Sequence, residues 1–142
     1  MNVSARNVFK GKITALTDGA VNAEVELGLP GGDKIVAIVT EGSVKSLGLA
    51  VGKEAVAYVK APWVMLLAGV PDVHFSARNQ LAGKVSGLTK GAVNTEVAIT
   101  LSGGTAVHSV VTNEAVLDLG LKVGEPATAL IKASHVVLGV PA

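Results

Sequence analysis

All the cations of this chain are lysines except two, Arg6 and Arg78, and each arginine stands in the same four-residue block. The blocks are Ser4-Ala5-Arg6-Asn7 and Ser76-Ala77-Arg78-Asn79. Arginine presents a rigid planar fork of N–H donors that suits tetrahedral oxyanions. Serine and asparagine add short donors beside it, and backbone N–H groups in a tight turn can form an anion-binding nest. The chemistry these residues suggest is the holding of a small oxyanion. The competing reading is that Arg6 and Arg78 pair with two acids, Glu24 and Glu96. Two further motifs are doubled. Lys60-Ala61 and Lys132-Ala133 close a predicted strand, where lysine serves either as a solvated edge guard or as a ligand. Gly19-Ala20-Val21-Asn22 and Gly91-Ala92-Val93-Asn94 read as hairpin turns; several such turns aimed at one symmetry axis would bind an anion without a formal positive charge.

Other chemistry is poorly supported. His74, His108 and His135 are not duplicated and their spacing fits no metal motif, so surface or packing roles are expected. There is no cysteine, which removes disulfides and thiolate metal sites. Glu24 and Glu96 are the only carboxylates at matching positions, and no nucleophile, base and orienter can be assembled from duplicated residues. The expectation is therefore a binding protein, not an enzyme, with no cofactor. Single-stranded nucleic acid would need stacking aromatics and a basic groove. The aromatics are only Phe9, Tyr58, Trp63 and Phe75, and the net charge is +1, so nucleic acid is not an expected partner.

These motifs must be positioned by elements that occur twice. Ser4 to Leu67 aligns with Ser76 to Gly139 at a constant offset of 72 residues, with roughly half the positions identical. A repeat of this length is a small domain, not a solenoid unit. The expected division is 1–67, a connector 68–75 containing Gly69, Pro71 and Asp72, and 76–142. Domains of this size are marginal alone. The mean hydropathy of +0.53, with 16% charged residues, points to apolar surface buried between halves and between subunits. A homo-oligomer is expected. The run Met1-Asn2-Val3-Ser4-Ala5-Arg6 lacks a signal-peptide core, and the stretch Val64 to Val70 is too short to span a bilayer, so a soluble cytoplasmic protein without membrane attachment is the default.

Within each half, glycine turns separate short alternating segments. Gly11 to Thr17 places Ile13 and Ala15 on one face, and Val21 to Leu27 sets Val21, Ala23, Val25 and Leu27 against Asn22, Glu24 and Glu26. Lys34 to Thr40 is a third strand. Thr40 suits a helix N-cap, Glu41 its first turn and Gly48 its end, repeated as Thr112, Glu114 and Gly120. Ala55 to Lys60 and Trp63 to Leu67 complete the half. Five strands with one helix after the third predict an all-β chain of two tandem OB-like five-stranded Greek-key barrels, each with one short helix.

Ser-Ala-Arg-Asn, then Gly-Lys-(Ile/Val), then Gly-Ala-Val-Asn, then Lys-Ala, in order and twice, resemble the molbindins: Mop-type molybdate-binding proteins in their tandem di-Mop form, related to TOBE domains. The resemblance implies an OB-like domain, six of which surround shared sites, hence a homotrimer of tandem chains binding molybdate or tungstate. It implies one class of site joining the Ser-Ala-Arg-Asn block with the Lys-Ala block of another domain. That class maps to Ser4, Arg6, Asn7, Lys60 and Ala61, and to Ser76, Arg78, Asn79, Lys132, Ala133 and Ser134. A second class on a threefold axis maps to Ala20, Val21 and Asn22, and to Ala92, Val93 and Asn94. The family's small hydroxyl residue after Lys-Ala is kept as Ser134 but is Pro62 in the first copy, which removes an N–H. The implied role is cytoplasmic storage and homeostasis of the oxyanion; the alternative is an anion-responsive sensory module acting on a partner protein.

The energetics allow such a role. A pocket of donors without an acceptor carboxylate would favour a fully deprotonated dianion over hydrogen phosphate. Hydrogen bonds to charged groups contribute about 1.5–3 kcal/mol each. Six supply a gross ~9–18 kcal/mol before desolvation, and micromolar binding needs only about 8 kcal/mol net.

Overall fold

The computed structural model describes residues 3–69 and 72–142, so Pro71 of the expected connector lies outside the described residues. The first half forms β1 (Asn7–Asp18), β2 (Asn22–Gly28), β3 (Lys34–Thr40), α1 (Glu41–Leu47), β4 (Glu54–Val59) and β5 (Met65–Ala68). The second forms β6 (Asn79–Lys90), β7 (Asn94–Leu101), β8 (Ala106–Thr112), α2 (Asn113–Leu119), β9 (Pro126–Ile131) and β10 (Val137–Gly139). The result is the expected all-β tandem: two curled, antiparallel, five-stranded sheets, each with one short helix after its third strand. The helix signals are realised. The Thr40 and Thr112 hydroxyls accept from the amides of Ser43 and Ala115, and Gly48 and Gly120 end the helices at φ 64° and 63°, where a side chain would be strained.

The long strand β1 explains the curl. Its first part, Asn7–Lys12, pairs with β4, and Lys12–Asp18 pairs with β2, with a bulge between Ile13 and Ala15. The strand starts at Asn7, ahead of the expected Gly11. Gly11 is no terminator: a Cβ there would collide with the carbonyl oxygen of Gly28, so the glycine permits a close backbone approach within the strand. The bulge also shifts the side-chain phase. Ala15 faces outward and Leu16 turns in, contrary to simple alternation. Val21 lies in the turn and is exposed, while Ala23, Val25 and Leu27 are buried as expected. Trp63 belongs to a 3-10 turn, Ala61–Trp63, rather than to the following strand.

The strand orders are β10-β4-β1-β2-β3 and β5-β9-β6-β7-β8. Each sheet therefore takes its fifth strand from the other half. Met65–Ala68 pairs with Leu130–Ala127, and Val137–Gly139 pairs with Tyr58–Val56. A repeated sequence carries no information on which of two equivalent edges a four-residue strand will join. One buried apolar cluster runs through both halves, from Phe9, Val25 and Ile35 to Val97, Ile131 and Leu138.

The exchange predicts the behaviour of a half chain. Residues 1–69 alone leave β4 without β10 and β5 without β9. They should associate as a dimer that trades β5 between copies, observable by sedimentation; a folded monomeric fragment would contradict this.

Candidate functional site

The two edge strands β3 and β8 are not left open. The Asn7 amide donates from Nδ2 to the His108 carbonyl at 2.8 Å and accepts the His108 N–H at Oδ1, 2.7 Å. Asn79 does the same with Val36, donating at 2.8 Å and accepting at 2.7 Å. His108 and Val36 are repeat-equivalent, so the two halves clasp each other reciprocally. Both asparagines are almost wholly buried. Each 3-10 turn, Ala61–Trp63 and Ala133–His135, packs on the edge strand of the opposite half. The Ser109 hydroxyl donates to the Val64 carbonyl at 2.6 Å, fastening the first of these turns.

This seam gathers most of the first predicted site. Ser4, Arg6, Lys60, Ala61 and Pro62 line one open cleft of about 280 Å³, with Glu96 and Val110 from the opposite half. Antiparallel register explains the meeting: Asn7 opposes Val59, so Arg6 and Lys60 continue side by side beyond the pair. Asn79 opposes Ile131, which puts Arg78 and Lys132 in the same relation. Within the chain the two blocks thus meet inside one repeat, and the other repeat supplies the opposing wall. Asn7 and Asn79 are outside the lining of this cleft, with both ends of their amides engaged by backbone.

The pairing reading of the arginines is also realised, across the halves. Arg6 Nε donates to Glu96 Oε1 at 3.0 Å, with Nη2 at 2.9 Å from the same oxygen, and Arg78 Nη2 pairs with Glu24 Oε1. The Glu24 hydrogen bond holds the Arg78 guanidinium above its ordinary pKa. The arginine side chains remain more than half exposed, 57% and 54%, so water screens both pairs and they hold weakly. The donor-only pocket inferred from sequence needs correcting, because Glu96 lines it. The sequence points His108 to a surface or packing role, and the structure puts its Nδ1 3.2 Å from Glu96 Oε1. The signal available in the sequence was that Glu24 and Glu96 are the only matched carboxylates.

The Gly-Ala-Val-Asn turns lie elsewhere, at the starts of β2 and β7. Val21 and Val93 point outward, and their carbonyls accept from the amides of Glu41 and Asn113. Repeat-equivalent side chains brace the turns differently: the Glu41 carboxylate accepts from the Gly19 amide, while the Asn113 amide donates to the Gly91 carbonyl and accepts from Thr95. Ala20 and Ala92 sit at the exposed tips, and Asn22 and Asn94 begin the strands opposite Thr40 and Thr112. Asn22 shares a second cavity, of about 320 Å³, with Ser134. Among the described residues no group of three His, Asp or Glu could hold a metal ion, and no helix is long and apolar enough to cross a membrane.

The TOBE domain model matches residues 3–66 and again 76–138. The chain belongs to the TOBE family. Its two TOBE copies resemble the molybdenum-pterin-binding protein MopA of Rhodobacter capsulatus, 46% identical over 99% of this chain and 53% of that protein. They also resemble the molybdenum transport protein ModE of Azotobacter vinelandii, 43% identical over 99% of this chain and 52% of that protein. The chain thus spans about half the length of these relatives. The molybdenum-pterin-binding protein 2 of Clostridium pasteurianum is 48% identical and matches, over its entire length, 48% of this chain. Among solved structures, the cytoplasmic molybdate-binding protein ModG, in a form with molybdate bound, superposes with a TM-score of 0.94 at 58% identity. That match covers 99% of this chain and 100% of that one.

The asparagine clasps of this TOBE pair yield a stability prediction. Asn7→Ala would orphan the His108 N–H and carbonyl, at about 1–3 kcal/mol per unsatisfied group. Urea unfolding should show a loss of about 2–6 kcal/mol for the two groups together; a change below about 0.5 kcal/mol would refute the clasp as a structural element.

Proposed function

We propose that this protein binds molybdate or tungstate for storage and homeostasis in the cytoplasm, holding the oxyanion in the clefts of the seam and performing no catalysis. The observation that carries the reading is the convergence of Ser4, Arg6, Lys60 and Ala61 on one cleft, where the exposed Arg6 guanidinium is paired with a half-buried carboxylate. The likeness to ModG over the full length of both chains supports it. The repeats, 1–67 and 76–142 joined by 68–75, act as pseudo-equivalent units in a homotrimer. Exposed apolar side chains recur at matched positions, Val21 and Val93, Val51 and Val123, Met65 and Val137, as expected of surface covered by further copies. In that assembly the turns at Ala20–Asn22 and Ala92–Asn94 form the second class of site. Neither nucleic acid nor membrane is a partner in this reading.

A second reading, an anion-responsive module acting on a partner, is favoured by the ModE relatives, one of which, from Yersinia pestis, is named a transcriptional regulator. A pull-down whose yield changes with molybdate would support it over storage.

Calorimetric titration should give saturable heat with molybdate, and native mass measurement should show a trimer stabilised by the anion. Absence of heat with molybdate removes the proposal. Arg6→Ala combined with Arg78→Ala should abolish one class of site and leave the fold intact by circular dichroism; unchanged stoichiometry would remove the seam as the site.

A further inference from the structure

The two seam sites are copies in backbone but not in the partner of their carboxylate. Glu96 Oε1 is held by Arg6 and also lies 3.2 Å from Nδ1 of His108. That Nδ1 is shielded from solvent and makes no hydrogen bond. It is a buried polar atom beside an acceptor that is turned toward someone else, an arrangement that costs free energy until the acceptor realigns. In the other copy Glu24 faces Arg78, and the position equivalent to His108 is Val36. The first site has a second seat for its carboxylate; the second has none.

We infer that His108 receives Glu96 when an oxyanion takes the Arg6 fork, so that anion binding at the first-copy site is linked to proton uptake. This rests on the oxyanion reading of the seam. An imidazole is the side chain whose charge changes near neutral pH, and a carboxylate released from its guanidinium is best held by the charged, doubly donating form. The groups around His108 fit this exchange. Glu96 approaches from β7, Arg6 from the lead into β1, and Lys60 lines the same cleft from the cap of the 3-10 turn packed on β8. Asn7, also from β1, is neutral and engaged with the His108 backbone, which fixes the strand and leaves the ring nitrogens to other partners. The proton comes from buffer and goes to the His108 ring; no bond other than this N–H is made or broken. The consequence is a first-copy site that tightens as pH falls and a second-copy site that does not respond in this way.

The test is molybdate titration of the intact protein at one pH near neutrality in two buffers of different ionisation enthalpy. The apparent heat should differ between buffers in the sense of net proton uptake. In His108→Gln, which keeps a side-chain donor but not the titration, the difference should disappear while saturable heat remains. Heat that is the same in both buffers for the unaltered protein overturns the linkage without touching the oxyanion reading. Uptake that persists unchanged in His108→Gln assigns the proton to another group and overturns it equally. No molybdate heat in any buffer is failure of the oxyanion reading itself.

Discussion

The structure depends on covering two sheet edges with the side chains of the opposite half. β3 and β8 would each present a row of unpaired N–H and carbonyl groups, an invitation to aggregate. One asparagine per edge answers this by imitating a strand, donating and accepting on a single residue. Because the imitation is reciprocal, neither half is complete without the other, and exchange of β5 and β10 ties them again at the opposite edge of each sheet. A domain of about 65 residues buries too little surface to be robust. Here the shared apolar cluster makes the two halves one core.

The seam so formed is also where Ser4, Arg6 and Lys60 gather, for a geometric reason. The strand that delivers Asn7 to the opposite edge must carry Ser4 and Arg6 just ahead of it, and pairing with β4 brings Lys60 alongside. Burying the asparagine therefore leaves the arginine at the rim, facing Glu96 on the other half. An exposed guanidinium held by one half-buried carboxylate is oriented while remaining open to solvent. That balance suits an anion to be held and later released better than a fully desolvated pair, whose rupture would be costly.

Much of this was legible in the residues. The doubled blocks, the threonine caps and the glycine helix ends fall where their local chemistry puts them, because each is decided by neighbours within a few positions. Three features were not legible. The bulge after Ile13 inverts the outward face of β1, and nothing in Ile13-Thr14-Ala15 marks it. Partner choice for β5 and β10 depends on two edges with the same sequence pattern. The dual engagement of Asn7 depends on His108, 101 residues away. For the arginines, the glutamate pairing is what the structure shows, and it joins the two halves, which a repeat read one copy at a time does not reveal.

The copies then diverge on a constant scaffold. Lys60 and Lys132 have φ/ψ of −69/133° and −66/131°, and both lead into a 3-10 turn closed by the same carbonyl at the same position. Pro62 fits that turn because the first turn of a helix has no use for the amide that proline lacks. The replacement of Ser134 by Pro62 therefore changes donors without moving backbone. His108 against Val36 changes the carboxylate's alternatives in the same way, since both edge strands are held by identical asparagine contacts. Tandem duplication fixes the frame twice over, and a fused pair can then vary one copy's ligand chemistry while the other copy keeps the clasp that holds both in place.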